Sequence, residues 1–226
     1  MKENYKGLVM FGPPGVGKGV QAKILASKYG LGHLSTGEII RDEIKRGTEI
    51  GKRVQEAVSR GGFADDETVL ALVMGRIDRP ELRKGFIMDG FPRNLPQAEM
   101  FDRLLEERGR KVSQVIFLTA SDDVVLKRLS GRLVCSSCGA TYHEEAKRTK
   151  VEGVCDVCRG NVVRRKDDDP ATQRERLRIY RIETVPLADY YGRAGTLRKV
   201  NGEGTIDQVA KEIAKFIDPV EVGAAR

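Results

Sequence analysis

Apolar positions along this chain follow two rhythms. Short apolar runs, the uncharged Gly7-Leu-Val-Met-Phe11 and Gly85-Phe-Ile-Met-Asp89 with its terminal carboxylate, lead straight into glycine-containing turns and predict buried strands. Val112–Thr119 and Leu197–Val200 are predicted as further strands, and His33-Leu34-Ser35 predicts a shorter one. Between these runs the apolar residues recur at helical spacing. Helices are predicted over Lys18–Tyr29 (closed by Gly30), Thr36–Arg46, Glu49–Arg60 and Asp65–Arg79, the last opened by acidic residues and stopped before Pro80. Further helices start at Asn94, an N-cap with Pro96 in the first turn, and at Ser121, running to about Ser130. A long helix is predicted from Pro170 to about Gly195, bent at Pro186, and a final one from the capping box Thr205-x-x-Gln208 to Ile217. Gly131–Arg165 departs from this alternation and is rich in Cys, Gly and short β-prone runs.

Strands alternating with helices predict an α/β fold, a doubly wound parallel sheet of about five strands. Such sheets bind ligands beyond the carboxyl ends of their strands. The two chemically suggestive segments, Gly12–Lys18 and Asp89–Arg93, both follow strands directly.

Composition narrows the picture only a little. A length of 226 residues fits one domain with a sizeable insertion. No stretch reaches the ~20 apolar residues of a membrane helix, and no signal-like apolar run precedes the first strand, so a cytoplasmic protein without membrane contact is expected. The net charge of +7 is compatible with nucleic-acid binding, a solvated basic surface or a site for small phosphates. If four thiolates held one divalent metal, the excess would fall to about +5.

Gly12-Pro-Pro-Gly-Val-Gly-Lys18 lies between a strand and a helix. Glycines there let backbone N–H groups surround an anion, the helix N-terminus adds positive potential, and Lys18 supplies a full charge. Gly15, Val16, Gly17, Lys18, Gly19 and Val20 are therefore candidate nucleotide-phosphate ligands. The general pattern has Ser or Thr after the lysine, whereas Gly19 and Val20 follow here. The four cysteines form Cys135-x2-Cys138-x16-Cys155-x2-Cys158, two knuckles facing one another. That spacing predicts a closed tetrahedral zinc site of structural type, with iron in the same site or two disulfides as the alternatives.

With Ser35-Thr-Gly-Glu38 and Arg41, Asp89-Gly-Phe-Pro-Arg93 and Gln97, Gly131-Arg132, and Arg165-Lys-Asp-Asp168 with Arg176, the chain resembles the adenylate kinase family over about residues 7–217. The resemblance implies a P-loop core (1–34, 65–130, 168–226), an AMP-binding domain at 35–64 and a lid at 131–167. It implies magnesium-dependent transfer of the terminal phosphoryl group of ATP to AMP, giving two ADP, in a monomer that needs no nucleic acid. It also places Arg128 and Arg132 on the ATP phosphates, Arg41 and Arg93 on the AMP phosphate, and Thr36 beside the AMP base. Arg165 and Arg176 are expected to touch the transferring phosphates, Gly90 to line the AMP site and Tyr142 the ATP site. Three departures stand out: Val20 and Glu38 replace the family's usual Thr and Asp, and Gly62-Phe-Ala-Asp65 replaces a more hydrophobic stretch.

The residue types suit that chemistry. Phosphoryl transfer demands positioning and charge neutralisation. The attacking oxygen belongs to a phosphate whose second pKa is about 6, so no general base is needed. Neither His33 nor His143 is assigned to catalysis. Arg128 and Arg132, four residues apart, are expected to share a helix face. Asp89 is the candidate organiser of magnesium, and Gln97 can donate and accept along an adenine edge. Two rivals remain at this stage: a kinase for another nucleoside monophosphate, and a basic P-loop ATPase with a nucleic-acid-binding zinc ribbon.

Overall fold

The computed structural model describes residues 6–59, 65–164 and 168–218. A five-stranded sheet runs in the order β2-β3-β1-β4-β8. Its strands are β1 (Lys6–Phe11), β2 (Gly32–Ser35), β3 (Gly85–Asp89), β4 (Gln114–Thr119) and β8 (Leu197–Asn201), and every pairing is parallel. The apolar runs become buried strands because helices cover both faces of a parallel sheet. Leu8–Phe11, Phe86–Met88 and Val115–Leu118 are all buried.

Two apolar layers result. Phe11, Phe86, Met88 and Phe117 face α4 (Asp66–Ile77), α5 (Leu95–Glu106) and α8 (Leu187–Arg193). Leu8, Met10, Ile87 and Ile116 face α1 (Lys18–Tyr29) and α9 (Ile206–Ile217). Rings settle the first layer: Phe11 stacks on Phe117 at 4.7 Å and Phe91 meets Phe101 edge-on at 5.3 Å. Each such side chain contributes about 1.5–3 kcal/mol on full burial.

Local signals account for most helix ends. Gly30 closes α1 in the left-handed conformation. Asp65 caps α4 through the Thr68 N–H, Asn94 caps α5 through the Gln97 N–H, and Thr205 with Gln208 forms the reciprocal box that opens α9. The helices α2 (Thr36–Arg46) and α3 (Glu49–Ser59) complete the segment after β2.

The long helix predicted after Pro170 is interrupted. It divides into α7 (Pro170–Ile179), a π-helical stretch over Tyr180–Thr184, and α8. Proline lacks an N–H and crowds the preceding turn. The wider π turn, with the Val185 N–H reaching the Tyr180 carbonyl at 3.0 Å, accommodates Pro186 without ending the run. The strand predicted at Val112 begins at Gln114, because the Ser113 N–H first donates to the Gly7 carbonyl at 2.7 Å.

After α6 (Asp122–Ser130), the chain forms a separate antiparallel sheet, β6-β5-β7, from β5 (Arg132–Cys135), β6 (Thr141–His143) and β7 (Val162–Arg164). Arg128 and Arg132 therefore do not share a helix face: α6 stops at Ser130, and Arg132 opens a strand. Gly131 marks the junction, where a Cβ would lie 2.5 Å from the His143 ring.

Candidate active site

The end of β1 turns through the glycine-rich loop into α1, with Gly17 as N-cap at φ 107°, a conformation that glycine adopts readily. Lys18 folds back over this loop, its Nζ donating to the carbonyls of Gly12 at 2.8 Å and Pro13 at 2.9 Å. The residue keeps some surface, but protein surrounds its ammonium, and this burial lowers its pKa to about 8. The Asp89 carboxylate opposes that shift, while Arg93, Arg176 and Arg132 reinforce it, so four of the predicted charges lie close enough to act on Lys18.

Asp89 ends β3 opposite Ser35 of β2. A Cβ on Gly19 would stand 3.1 Å from its Oδ2, so the carboxylate occupies the space where the general phosphate-loop pattern carries a hydroxyl side chain. Gly90 follows at φ 81°, and its carbonyl accepts from Thr36 Oγ1 at 2.9 Å and Arg93 Nε at 2.8 Å. The Phe91–Pro92 peptide is cis. Two further bonds hold the Arg93 backbone. Its N–H donates to Gln97 Oε1 at 2.8 Å, and its carbonyl accepts from the buried Thr184 hydroxyl at 2.8 Å. Arg93 keeps exposed surface as a residue, but protein crowds its guanidinium, and this burial lowers its pKa against the pull of Asp89.

The arginines divide between two modes. Arg132 and Arg176 converge on Asp168, whose side chain is only 6% exposed. Arg132 binds both its oxygens, Nε to Oδ2 at 2.7 Å, while Arg176 stands 3.9 Å away. Arg128 instead donates to the carbonyls of Val16 at 3.1 Å, Gly202 at 2.7 Å and Glu203 at 3.1 Å, tying the phosphate loop to the turn between β8 and α9. Arg41 lies exposed on α2, its guanidinium beside Gly37. Glu38 pairs with Lys23 at 2.8 Å, and Val20 lies half-buried on α1. Arg165 and Gly62–Ala64 lie outside the described residues.

Tyr142 is buried against the β6-β5-β7 sheet, its hydroxyl 3.3 Å from Cys155 Sγ and accepting from the Asp156 N–H at 2.8 Å. An apolar ring filling the small core beneath the cysteines explains that placement. The four cysteines are free thiols, with all four sulfurs within 4.8 Å of one another. The shortest approaches, 3.5 Å for Cys135–Cys158 and 3.6 Å for Cys138–Cys155, far exceed the ~2.05 Å of a disulfide. Four ligands around one zinc at about 2.3 Å would stand about 3.8 Å apart, so the donor set fits that metal.

A recess of about 370 Å³ lies along edge strand β2, bordered by His33, Glu38, Asp42, Arg76 and Arg79. It contains no part of the phosphate loop, and its charges are mixed. The convergent cations therefore mark the site better than the recess does.

A family model described as adenylate kinase matches residues 10–196. The chain belongs to the adenylate kinase family. It is 42% identical over 206 residues to the adenylate kinase of Clostridioides difficile (strain 630), covering 91% of this chain and 95% of that one. It is 42% identical over 214 residues to that of Archaeoglobus fulgidus, covering 95% and 99%. To that of Agathobacter rectalis it is 43% identical over 210 residues, covering 93% and 98%. The relationship to adenylate kinases thus spans both the sheet and the cysteine-bearing segment.

Sequence reasoning overlooked Asp66, Asp168 and Thr184 as parts of this site. Asp66 reads as an ordinary acidic opening to α4, yet it accepts from Gln97 Nε2 at 2.6 Å. Asp168 was visible within Arg165-Lys-Asp-Asp168, but its two arginine partners are remote in sequence. Thr184 carried no local signal.

Proposed function

We propose that this chain catalyses the reversible, magnesium-dependent reaction of ATP with AMP to give two ADP. The observation that carries the residue assignment is the convergence of Arg93, Arg132, Arg176 and Asp89 on Lys18. Bringing two polyphosphates together is opposed by their mutual repulsion, and a fixed set of cations offsets it without reorganising during the reaction.

The phosphate loop from Gly15 to Val20 presents its N–H groups to the ATP phosphates. Lys18 exchanges its two loop carbonyls for phosphate oxygens. Arg132, steadied by Asp168, and Arg176 face the transferring group, with Arg165 joining them from the lid. Arg128 secures the loop that receives the triphosphate. Arg93 and Arg41 hold the AMP phosphate, while Gly90 and Thr36 shape the wall beside its nucleoside. An AMP phosphate oxygen attacks the terminal phosphorus in line. The bond to the bridging oxygen breaks as the new one forms, and no side chain need remove a proton.

Magnesium, when bound with ATP, withdraws charge from the phosphate oxygens. Asp89 is the residue suited to hold it through water, since Gly19 leaves that carboxylate room. Zinc in the Cys135–Cys158 cluster would be structural, because four thiolates leave no open position.

We also assign residues 35–64 as the AMP-binding domain and 131–167 as the lid, within a monomer active without nucleic acid. No helix among the described residues is long and apolar enough to cross a membrane, in keeping with a cytoplasmic enzyme. Lid closure would exclude water, the competing phosphoryl acceptor. The test is ADP formation from MgATP with AMP, GMP, CMP and UMP in turn. Turnover confined to AMP supports the reading, and preference for another acceptor would overturn the roles given to Thr36 and Gln97.

A further inference from the structure

Gln97 is 5% exposed and carries one of the few buried carboxamides near the site. A carboxamide donates from one end and accepts at the other, and the two ends have nearly the same shape. Its use in recognising a base therefore depends on which end faces which neighbour. Here each end has a partner of unambiguous sign. The Arg93 N–H can only donate, and it meets Oε1 at 2.8 Å. The Asp66 carboxylate meets Nε2 at 2.6 Å. Asp66 also accepts from Asn94 Nδ2, at 3.1 Å through Oδ2 and 3.4 Å through Oδ1. Asn94 in turn caps α5 through the Gln97 N–H at 2.9 Å.

We infer that Asp66 is a specificity-determining positioning residue, which fixes the Gln97 carboxamide so that AMP is preferred over purine nucleotides carrying a 6-oxo group. The inference deepens the proposed AMP site and rests on Gln97 reading the base. With Asp66 in place, Gln97 keeps one N–H and one oxygen lone pair for a ligand. Adenine offers the complementary N6 donor and N7 acceptor. A 6-oxopurine offers acceptors at both O6 and N7, one of which would face the Gln97 oxygen. Two side-chain donors, from Gln97 and Asn94, converge on Asp66. An asparagine at this position has one acceptor for both, and its own NH2 would confront a donor. Turning the Gln97 amide over relieves that conflict at the cost of the Arg93 contact, and then presents its NH2 to O6.

The test compares AMP with IMP as acceptors for wild type, Asp66→Asn and Gln97→Leu. For Asp66→Asn the ratio of kcat/KM for AMP over IMP should fall about tenfold, through a raised KM for AMP with kcat changed less than about threefold. Asp66→Glu, which stays acceptor-only, should retain most of the selectivity. Side-chain amide NMR supplies a second readout. The Gln97 Nε2 proton bonded to Asp66 should be shifted downfield and protected from solvent exchange in wild type, and should lose both properties in Asp66→Asn. An unchanged AMP/IMP ratio in Asp66→Asn, or an equal loss for both nucleotides, would overturn the inference. If Gln97→Leu left AMP kinetics unaltered, the base-reading role would fail on its own, while the NMR readout would still decide whether Asp66 fixes the amide.

Discussion

Asp168 receives Arg132 with both carboxylate oxygens, so one guanidinium is fixed in plane as well as in position. Arg176 shares the same carboxylate at 3.9 Å. Replacing Asp168 by Ala should leave two crowded cations without their common anion. The expected loss is about 10- to 100-fold in kcat and about 3 kcal/mol in stability. Steady-state kinetics with a thermal melt would check both. Arg132→Lys should fail to restore activity, since an ammonium cannot span two oxygens.

Lys18 gives the site a pH signature. Burial holds its pKa at about 8, well below the ordinary 10.5. Its charge is therefore a cost to the folded state below pH 8, and that cost fades as pH rises towards 10.5. A phosphate anion favours the ammonium, so binding should raise the pKa and draw in a proton near pH 8.5. Calorimetry of MgATP binding in two buffers of different ionisation heat would detect this uptake. It should vanish in Lys18→Met, which should also lose roughly 10²–10³-fold in kcat.

Asp102 acts with the opposite sign. Burial raises its pKa to about 6 even though Tyr190 donates to it at 3.1 Å. The folded state holds the proton more tightly, so the contribution is full below pH 3.8 and lost as pH climbs through 6. Asp102→Asn should stabilise the protein at pH 7–8 by roughly 2 kcal/mol. Melts at pH 3.5 and pH 8 would show it, the gain small at the lower pH and full at the higher.

The cysteine segment should bind one zinc per chain. Chelation, or Cys155→Ser, should lower the melting temperature by about 5–15 °C. Circular dichroism should report the central sheet intact at room temperature. Metal analysis beside the melt separates lost zinc from a direct effect of the substitution.

How much of this the sequence disclosed depended on whether the controlling interaction was local. The span of α1 was legible because Gly17 and Gly30 bracket it. The α9 cap was legible because Thr205 and Gln208 are three residues apart. The π stretch before Pro186 was not, since a proline bend reads the same whichever turn absorbs it. The roles of Asp66 and Asp168 were hidden for another reason. Asp66 meets Gln97 across 31 positions and Asp168 meets Arg132 across 36, and no local periodicity encodes such pairs. Tyr142 shows a related gap: its packing against Cys135 and Cys155 in a small sheet joins residues 7 and 13 positions away, which no local periodicity encodes.

In the cysteine-bearing segment, the strand that enters and the strand that leaves are immediate neighbours, with Leu133 opposite Arg164. The whole segment between them is therefore a closed excursion that begins and ends at one place. An exchangeable cassette has this property: a shorter or metal-free version could be spliced between the same two strands without redirecting the chain beneath. Lineages could vary the stapling chemistry of this segment independently of the sheet that carries Lys18 and Asp89.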